Sequence, residues 1–482
     1  MLRRSFLQFS AAAAFAGLAG RSLAADQPTA ADLAGDIAIL SEALRLHPGL
    51  YRYSNPAEIA GRLKRLGSDF TRSRTSEERY LLISRFLASI RCGHSYCNFF
   101  NQKKATASFL FDRPTRLPFR FVWLGETMVV TSDPSGALSK GTEVLTINGT
   151  PAQRLRDGLL PYVRADGHND GKRVSLLEVR GDSRIETFDV FQGLLAPPAD
   201  DVHKLTVRPF EGAPRRVEVP AIGLAARQAQ MITTGRAADA ALWEWQLRPD
   251  GIAVLTMPSW ALWNSKWDWK SWLDERLNSA ASAKGLIVDL RDNEGGQDCG
   301  DLIIARLINR AYVPEAQEQR LRFRRTPPGL DPFLDTWDDS FRTLGVGASR
   351  LPNGFYRRPG GNAALTIEPA KKRLKTRLAV LTSPVNSSAT FQFASSVRAL
   401  GVGRLVGRTT GGNRRGINGG CFFFVRLPAS GIEFDLPLVG YFPMAKVPDA
   451  GLVPDIAVQE SAKDLVRGRD ATIQRAVETL AS

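Results

Sequence analysis

The residue of this sequence best suited to nucleophilic chemistry is a serine at the beginning of a predicted helix. The apolar run 378–382 predicts a buried strand, and a polar turn follows it. Ser388 then begins a segment whose apolar residues recur at helical spacing, namely Phe393, Ala394, Val397 and Leu400. Gly401 ends this helix, because glycine adopts the left-handed conformation at low cost. At such a turn, the serine hydroxyl faces the N–H groups of the first helical turn, which suit an oxyanion.

The serine pair also has a simpler explanation. Ser387 and Ser388 fit a role as helix caps, because serine is favoured at helix N-termini for its hydrogen bonds alone. A second source of backbone donors favours the catalytic explanation. The buried strand 284–291 leads into a turn that contains Gly295 and Gly296, and a helix follows. Strand, glycine turn and helix aim backbone N–H groups at an anion, so this turn supplies the second donor of an oxyanion hole.

A catalytic serine also requires a neighbouring base with a pKa near neutrality. The sequence has four histidines, at positions 47, 94, 168 and 203. His94 follows a predicted helix that ends near Ile90, and it stands beside Gly93, so it is free to face another part of the chain. By itself this position favours a structural histidine.

Length and composition limit the classes of function. With 482 residues, 43% of them hydrophobic, the chain can form two or three globular domains. Its net charge of +15 suits an anionic envelope surface or an acidic substrate. The basic residues are scattered and carry no nucleic-acid motif, so we expect no nucleic-acid partner. Histidines and cysteines do not cluster at metal-ligand spacing, so we expect no catalytic metal.

The first 24 residues have the pattern of an export signal. Residues 2–7 (LRRSFL) contain a twin arginine, the apolar run 11–19 follows, and residues 22–24 resemble a cleavage site. We therefore expect a Tat-type signal peptide over residues 1–24 and a periplasmic or secreted mature protein. Export permits disulfides. We expect one bridge or none among Cys92, Cys97, Cys299 and Cys421.

The rest of the chain divides into three regions with different predicted secondary structure. Residues 25–110 predict a helical domain, in which one helix begins at Thr75 or Ser76. Residues 111–235 predict a β-rich module with a hairpin turn at Asn148-Gly149. Strands are expected in this module at 119–123, 127–131, 184–191 and within 203–219. Residues 236–482 predict the core, with an insertion over 314–376.

Four separated motifs form one pattern. They are GTEVLTINGTPA at 141–152, GLIVDLRDNEGG at 285–296, LTSPVNSSAT with VGRTTGGN within 381–413, and GLVPDI at 451–456. In this order they resemble the PDZ-like module, the glycine turn, the nucleophile elbow with its loop, and the closing motif of the tail-specific (C-terminal-processing) serine peptidases. The resemblance implies an α/β fold with a crotonase-like β-β-α spiral core. An N-terminal helical domain and a PDZ-like β module precede that core.

The resemblance also implies roles for individual residues. Ser388 matches the family nucleophile, while Ala389 and the Gly295-Gly296 turn match the oxyanion donors. Asn413 stands where the best-known branch has a lysine base.

The stretch CGHS at 92–95 resembles the motif of a tricorn-like branch that uses a histidine base, so the resemblance implies His94. That branch orients its histidine with a carboxylate near the chain end, which Asp449 matches, with Glu433 and Asp435 as rivals. His47, in HPGLY, also resembles a family element, and we interpret it as structural.

We therefore expect an exported serine peptidase that cleaves peptide bonds near substrate C-termini and requires no cofactor. Two alternatives remain open. One is a catalytically impaired envelope protein that binds peptides or cell-wall fragments. Two departures favour it: the missing lysine at Asn413, and Phe391 where the family usually has an acid. The other alternative is an esterase that uses the same serine.

Overall fold

The computed structural model describes residues 27–231, 240–315, 317–361 and 366–481. The expected signal peptide, residues 1–24, lies outside this range. No helix within these four ranges is both long enough and apolar enough to cross a membrane. The described chain contains one mostly parallel sheet, two antiparallel sheets and the helices around them. It is therefore a mixed α/β protein, as the sequence predicts.

The structure sets the bounds of the elements as follows. The helices are α1 Ala30–Leu44, α2 Pro56–Arg72, α3 Ser76–Ser89, α4 Lys104–Phe111, α5 Ala152–Leu159, α6 Asp170–Leu176, α7 Thr187–Leu195, α8 Leu224–Ala229, α9 Trp269–Ala280, α10 Gly300–Leu307, α11 Ser388–Leu400, α12 Ala462–Val466 and α13 Ala471–Ala481. The strands are β1 Arg120–Leu124, β2 Thr127–Ser132, β3 Glu143–Ile147, β4 Thr150–Pro151, β5 Val202–Arg208, β6 Arg215–Pro220, β7 Glu244–Leu247, β8 Ile252–Thr256, β9 Gly285–Asp289, β10 Gln317–Leu321, β11 Leu334–Asp335, β12 Tyr356–Arg357, β13 Arg377–Thr382, β14 Arg404–Gly407, β15 Asn418–Arg426, β16 Glu433–Pro443 and β17 Ile456–Ala457.

The mostly parallel sheet has the strand order β17-β14-β13-β9-β8-β7, with β7 antiparallel to β8. Its central strands are buried on both faces. Val288 and Val380 belong to the apolar cluster of α9, α10 and α11, whereas Ile287 and Leu381 belong to the cluster of α13. This explains why β9 and β13 are continuous apolar runs and not alternating ones.

Strands β9 and β13 are neighbours, with Val288 opposite Val380. Because the two strands are parallel, their carboxyl ends lie side by side at one edge of the sheet. The glycine turn after β9 and the serine turn after β13 therefore emerge together, at the edge where open α/β sheets place their ligands.

The β-rich module is an antiparallel sheet of order β1-β2-β3-β5-β6, with β4 paired to β3. The predicted Asn148-Gly149 turn joins β3 to β4 and is confirmed, since both residues have positive φ. The strand predicted over 184–191 is wrong, because α7 occupies that region. Aromatic and β-branched residues favoured a strand there, but Phe188 and Phe191 are spaced for a helix and are both buried.

The N-terminal helices begin with clear capping signals. The Thr75 hydroxyl accepts the Glu78 N–H at 3.1 Å, and the Glu78 carboxylate receives the Thr75 N–H, so the predicted helix start is confirmed. Helix α2 is a further helix of this domain, and its start has the local signals Asn55 as the cap and Pro56 at the first position.

The second antiparallel sheet has the order β11-β15-β16-β10-β12. The stretch 314–376, expected as an insertion, contributes β10, β11 and β12 to it. The N-terminal helices are attached to this sheet through Asp36 of α1, whose carboxylate accepts the Ala429 and Ser430 N–H groups at 3.0 and 2.8 Å. Within the described ranges all four cysteines are buried with free thiols, so no disulfide forms.

Glu186, at the start of α7, makes stability depend on pH. Its carboxylate is buried and accepts the Gly181 N–H at 2.9 Å. Burial raises its pKa to about 8, helped by the negative charges of Asp182 and Asp189. A carboxyl whose pKa is raised by folding stabilises the folded state fully below its unfolded pKa, and this contribution is lost as pH rises through about 8.

We therefore expect Glu186→Gln to be more stable than the parent at pH 8.5, by on the order of 1 kcal/mol or more. Glutamine keeps an acceptor for Gly181 and carries no charge. Thermal unfolding at pH 5.5 and 8.5 measures the effect, with exposed Glu211→Gln as the control from the same module. Equal pH dependence in the parent and Glu186→Gln contradicts the prediction.

Candidate active site

The turn between β13 and α11 holds Ser388 in an unusual backbone conformation. Its φ is +52°, in the left-handed region that residues with a side chain rarely occupy, at a cost of about 1–3 kcal/mol. The Asn386 side-chain amide fixes the turn by donating to Leu290 O at 2.5 Å and to Asn293 O at 3.1 Å. Its oxygen accepts the Ser383 N–H at 2.7 Å. A strained serine between a buried strand and a helix is typical of a nucleophile elbow.

Ser387 has a different role. It occupies the N-cap position of α11, yet none of the described first-turn N–H groups donates to its hydroxyl. That hydroxyl instead donates to Glu294 O at 3.0 Å and lies 3.3 Å from Lys172 Nζ. Helix capping therefore does not explain the serine pair.

Gly295 and Gly296 bring the turn after β9 against the elbow, with φ of +112° and +138°. A methyl group on Gly295 would lie 2.9 Å from Ser388 Cβ and 3.0 Å from Ala389 N, so this approach requires glycine. The Gly295 N–H donates to Asn293 Oδ1 at 2.9 Å. In the described part of the chain the Gly296 N–H has no acceptor. The Ala389 and Gly296 N–H groups are thus the backbone donors left for an oxyanion.

His94 is half-buried beside a cluster of charged side chains. Its imidazole experiences the charges of Asp166, Arg164, Glu294 and Lys172. Burial lowers its pKa and the two cations lower it further, while the two carboxylates oppose this. Among the residues that the structure describes, its Nδ1 has no hydrogen-bond partner. A lowered pKa keeps the imidazole neutral and able to accept a proton at neutral pH.

Asp449, expected to orient His94, binds a different histidine. Its Oδ2 is 2.6 Å from His168 Nδ1, and its Oδ1 accepts the His168 backbone N–H at 3.1 Å and Asn413 Nδ2–H at 2.7 Å. The expected hydrogen bond from His94 to Asp449 is therefore absent from the described residues, because His168 and Asn413 occupy the carboxylate. Asn413 carries an amide in place of the lysine, so it cannot accept a proton as a base.

The two rival carboxylates, Asp435 and Glu433, lie on β16. Asp435, on β16, receives hydrogen bonds from the Asn98 and Asn101 side chains at 2.8 and 2.9 Å. Glu433 lies two residues earlier on the same strand, where burial raises its pKa to about 7. His47 is buried and bonded to Ser95 Oγ at 2.8 Å, in agreement with a structural role.

Residues 164–172 contain site residues that no motif in the sequence predicts. This stretch, RADGHNDGK, alternates charged and small residues and has no apolar periodicity, which is also the pattern of a solvated loop. In the structure, Arg164, His168 and Lys172 of this stretch contact the histidine loop, Asp449 and the elbow respectively. The only sequence signal was the unusual density of titratable groups.

Known proteins resemble the same part of the chain. Residues 251–420, which contain the glycine turn and the elbow, match the model of peptidase family S41. This part of the chain is therefore similar to peptidase family S41. The resemblance to tail-specific peptidases and the serine-type peptidase class are thereby confirmed. No curated protein matches the chain.

Solved structures resemble the chain beyond the S41 domain. Mature CPAF complexed with lactacystin has a TM-score of 0.62 at 14% identity, covering 94% of this chain and 98% of its own. Mature CPAF without that ligand has a TM-score of 0.58 at 15% identity, covering 94% of this chain and 96% of its own. At such identities the likeness shows a shared fold. That fold includes the elements that precede the S41 domain.

Proposed function

We propose that this chain is an exported serine peptidase in which Ser388 is the nucleophile and His94 is the general base. The observation that carries the proposal is the strained Ser388 backbone, with φ of +52°, held against the Gly295-Gly296 turn. Strain of this kind persists only where the surrounding structure enforces it, and it concentrates at functional sites.

The reaction proceeds in two steps, acylation of Ser388 and hydrolysis of the acyl-enzyme. Ser388 Oγ forms a bond to the substrate carbonyl carbon as its proton passes to His94, and the Ala389 and Gly296 N–H groups stabilise the oxyanion. The C–N bond then breaks, and His94 gives the proton to the leaving amine. Water, deprotonated by His94, hydrolyses the acyl-enzyme and restores the serine hydroxyl.

A histidine base is favoured over a lysine base by the contacts of the nearby amines. Lys172 Nζ lies 2.5 Å from Glu294 Oε1, 2.7 Å from Val385 O and 3.3 Å from Ser387 Oγ. Burial lowers the pKa of Lys172, but the ion pair with Glu294 opposes this and favours the ammonium, which has no lone pair to take a proton. The His94 imidazole is therefore the better candidate, in keeping with the tricorn-like branch.

An aromatic row beside His94 supports a peptide substrate. The Phe422 ring lies 5.9 Å from the His94 ring, and the Trp337 ring lies 5.8 Å from Phe422. The Trp337 side chain is 60% exposed. An exposed tryptophan gains free energy when an apolar side chain covers it, so the row suits an apolar residue of the substrate near the scissile bond.

We also propose that the chain has a PDZ-like module and a crotonase-like core and that it is exported. The antiparallel sheet β1–β6 and its Asn148-Gly149 turn support a PDZ-like module, and the buried parallel strands support a crotonase-like core. The twin-arginine pattern at residues 2–7 supports export to the periplasm or beyond, and the net charge of +15 supports contact with an anionic envelope surface.

A fluorophosphonate probe and a peptide library test the proposal on the purified protein. We expect a single adduct, mapped by mass spectrometry to Ser388, and faster hydrolysis of peptides with apolar residues than of acidic ones. We expect Trp337→Ala to lower kcat/KM about tenfold for an apolar peptide, and less for a small ester. Hydrolysis of the ester alone indicates an esterase. Peptide binding with neither adduct nor hydrolysis indicates a non-catalytic binder.

A further inference from the structure

Lys172, at the beginning of α6, reaches from the β-rich module into the nucleophile elbow. Its side chain is only 3% exposed. Its ammonium lies 2.7 Å from Val385 O and 3.3 Å from Ser387 Oγ. Both residues belong to the elbow, three positions and one position before Ser388. Its third contact is Glu294 Oε1 at 2.5 Å, in the residue before the glycine turn.

The other end of the same stretch contacts the histidine loop. Arg164 donates to Gly93 O at 2.8 Å and forms an ion pair with Glu294 Oε2 at 3.2 Å. The Gly93 N–H donates to Asp166 Oδ1 at 2.9 Å. Both backbone polar groups of the residue before His94 are therefore bonded to side chains from residues 164–172.

Glu294 joins the two ends. It forms ion pairs with both Lys172 and Arg164, and although burial raises its pKa, these two cations hold the pKa well below its usual value. A continuous set of polar contacts thus runs from the elbow through Lys172, Glu294 and Arg164 to Gly93. It connects the two parts of the chain that must meet for Ser388 and His94 to react.

We propose that Lys172 is a positioning residue for the peptidase reaction: its ammonium fixes the elbow that carries Ser388 and, through Glu294 and Arg164, sets that elbow relative to His94. The inference rests on the proposed Ser388–His94 chemistry. In this role Lys172 acts as an ammonium and takes no proton in the reaction, because its ion pair with Glu294 at 2.5 Å favours the charged form.

The contacts predict two separate effects of Lys172. One is geometric, since a displacement of about 1 Å in a reacting group can cost about 10²-fold in rate. The other is electrostatic, since the charges that act on His94 are Asp166, Glu294, Arg164 and Lys172. Loss of the lysine charge raises the pKa of His94, whereas loss of the Glu294 charge lowers it.

Steady-state kinetics of four variants across pH separate these effects. For Lys172→Met we expect kcat to fall about 10²-fold, with little change in KM and with the acid limb of kcat/KM moved to higher pH. For Glu294→Gln we expect that limb to move to lower pH. In the double variant the limb returns toward the parent position while kcat stays low, because the elbow contacts are still missing. Lys172→Arg, which keeps the charge and donors, should recover part of kcat.

Exposed Lys140→Met, in the same module, is the matched control and should behave as the parent. All rates are expressed per fluorophosphonate-reactive site, so that unfolded protein does not lower them. The inference is overturned if Lys172→Met has a lower melting temperature but the same kcat and the same acid limb of kcat/KM as the parent.

Should Lys172→Met not fold, an unmoved acid limb in Glu294→Gln is sufficient to overturn the inference. A parent protein that neither reacts with the probe nor cleaves peptides overturns the proposed function instead. The two failures are therefore distinguishable.

Discussion

Ser388→Ala is expected to lower kcat for peptide hydrolysis by a factor of about 10⁴ or more and to abolish the fluorophosphonate adduct. The reason is that Ser388 has the elbow conformation and that a methyl group on Gly295 would lie 2.9 Å from its Cβ, so its hydroxyl-bearing carbon lies against the glycine turn. Rates of peptide cleavage and mass spectrometry of the probe-treated protein measure the two effects.

Ser387→Ala is the matched control, because it removes the same hydroxyl one residue earlier. Its contacts are with Glu294 O and Lys172 Nζ, so we expect a loss of about tenfold and an intact adduct on Ser388. A variant pair with the opposite result would assign the nucleophile to Ser387.

The strain at Ser388 can be tested separately by stability. Glycine adopts φ of +52° without a Cβ penalty, whereas alanine keeps that penalty. Ser388→Gly should therefore be more stable than Ser388→Ala by about 1 kcal/mol. Equal melting temperatures for these two inactive variants would show that the backbone at this position is unstrained.

Local sequence signals were sufficient to predict the elements around Ser388 and the glycine turn. The apolar runs of β9 and β13, the glycine pair and the start of α11 are each encoded within about a dozen residues, and parallel pairing then brings them to one sheet edge. Gly401 also ends α11 in the left-handed conformation, as predicted, with φ of +62°. Where structure depends on neighbours in the chain, the prediction holds.

The acid–base side depends on contacts that no local pattern encodes. Asp449 and His168 are 281 residues apart, and Lys172 and Ser387 are 215 apart. A family resemblance can match Asp449 to an orienting carboxylate, but it cannot show that His168 occupies that carboxylate here. The strand predicted at 184–191 was wrong for a related reason, because burial of one helical face outweighed β propensity.

Two histidines lie near the site, His94 and His168, and we expect only His94 to act as the general base. His94→Ala is expected to lower kcat by about 10³–10⁴-fold, because the variant lacks the imidazole that takes the serine proton in the proposed reaction. Burial lowers the pKa of His94, so the acid limb of kcat/KM of the parent should have its midpoint below the ordinary histidine pKa. A His94→Gln variant should lose this acid limb.

His168→Ala is the control variant, because it tests whether His168 is the general base in place of His94. The His168–Asp449 pair, at 2.6 Å, has the geometry that orients a catalytic imidazole in serine hydrolases, but the His168 side chain is 54% exposed and its contacts lie on the Asn413 side of the site. We expect a loss of about tenfold at most, caused by movement of the Asn413 loop. If His168→Ala instead abolishes turnover while His94→Ala retains it, the base is His168 with Asp449 as its carboxylate. The general base would then come from residues 164–172 and not from the loop after α3. The match of CGHS to the tricorn-like motif would then not identify a catalytic histidine.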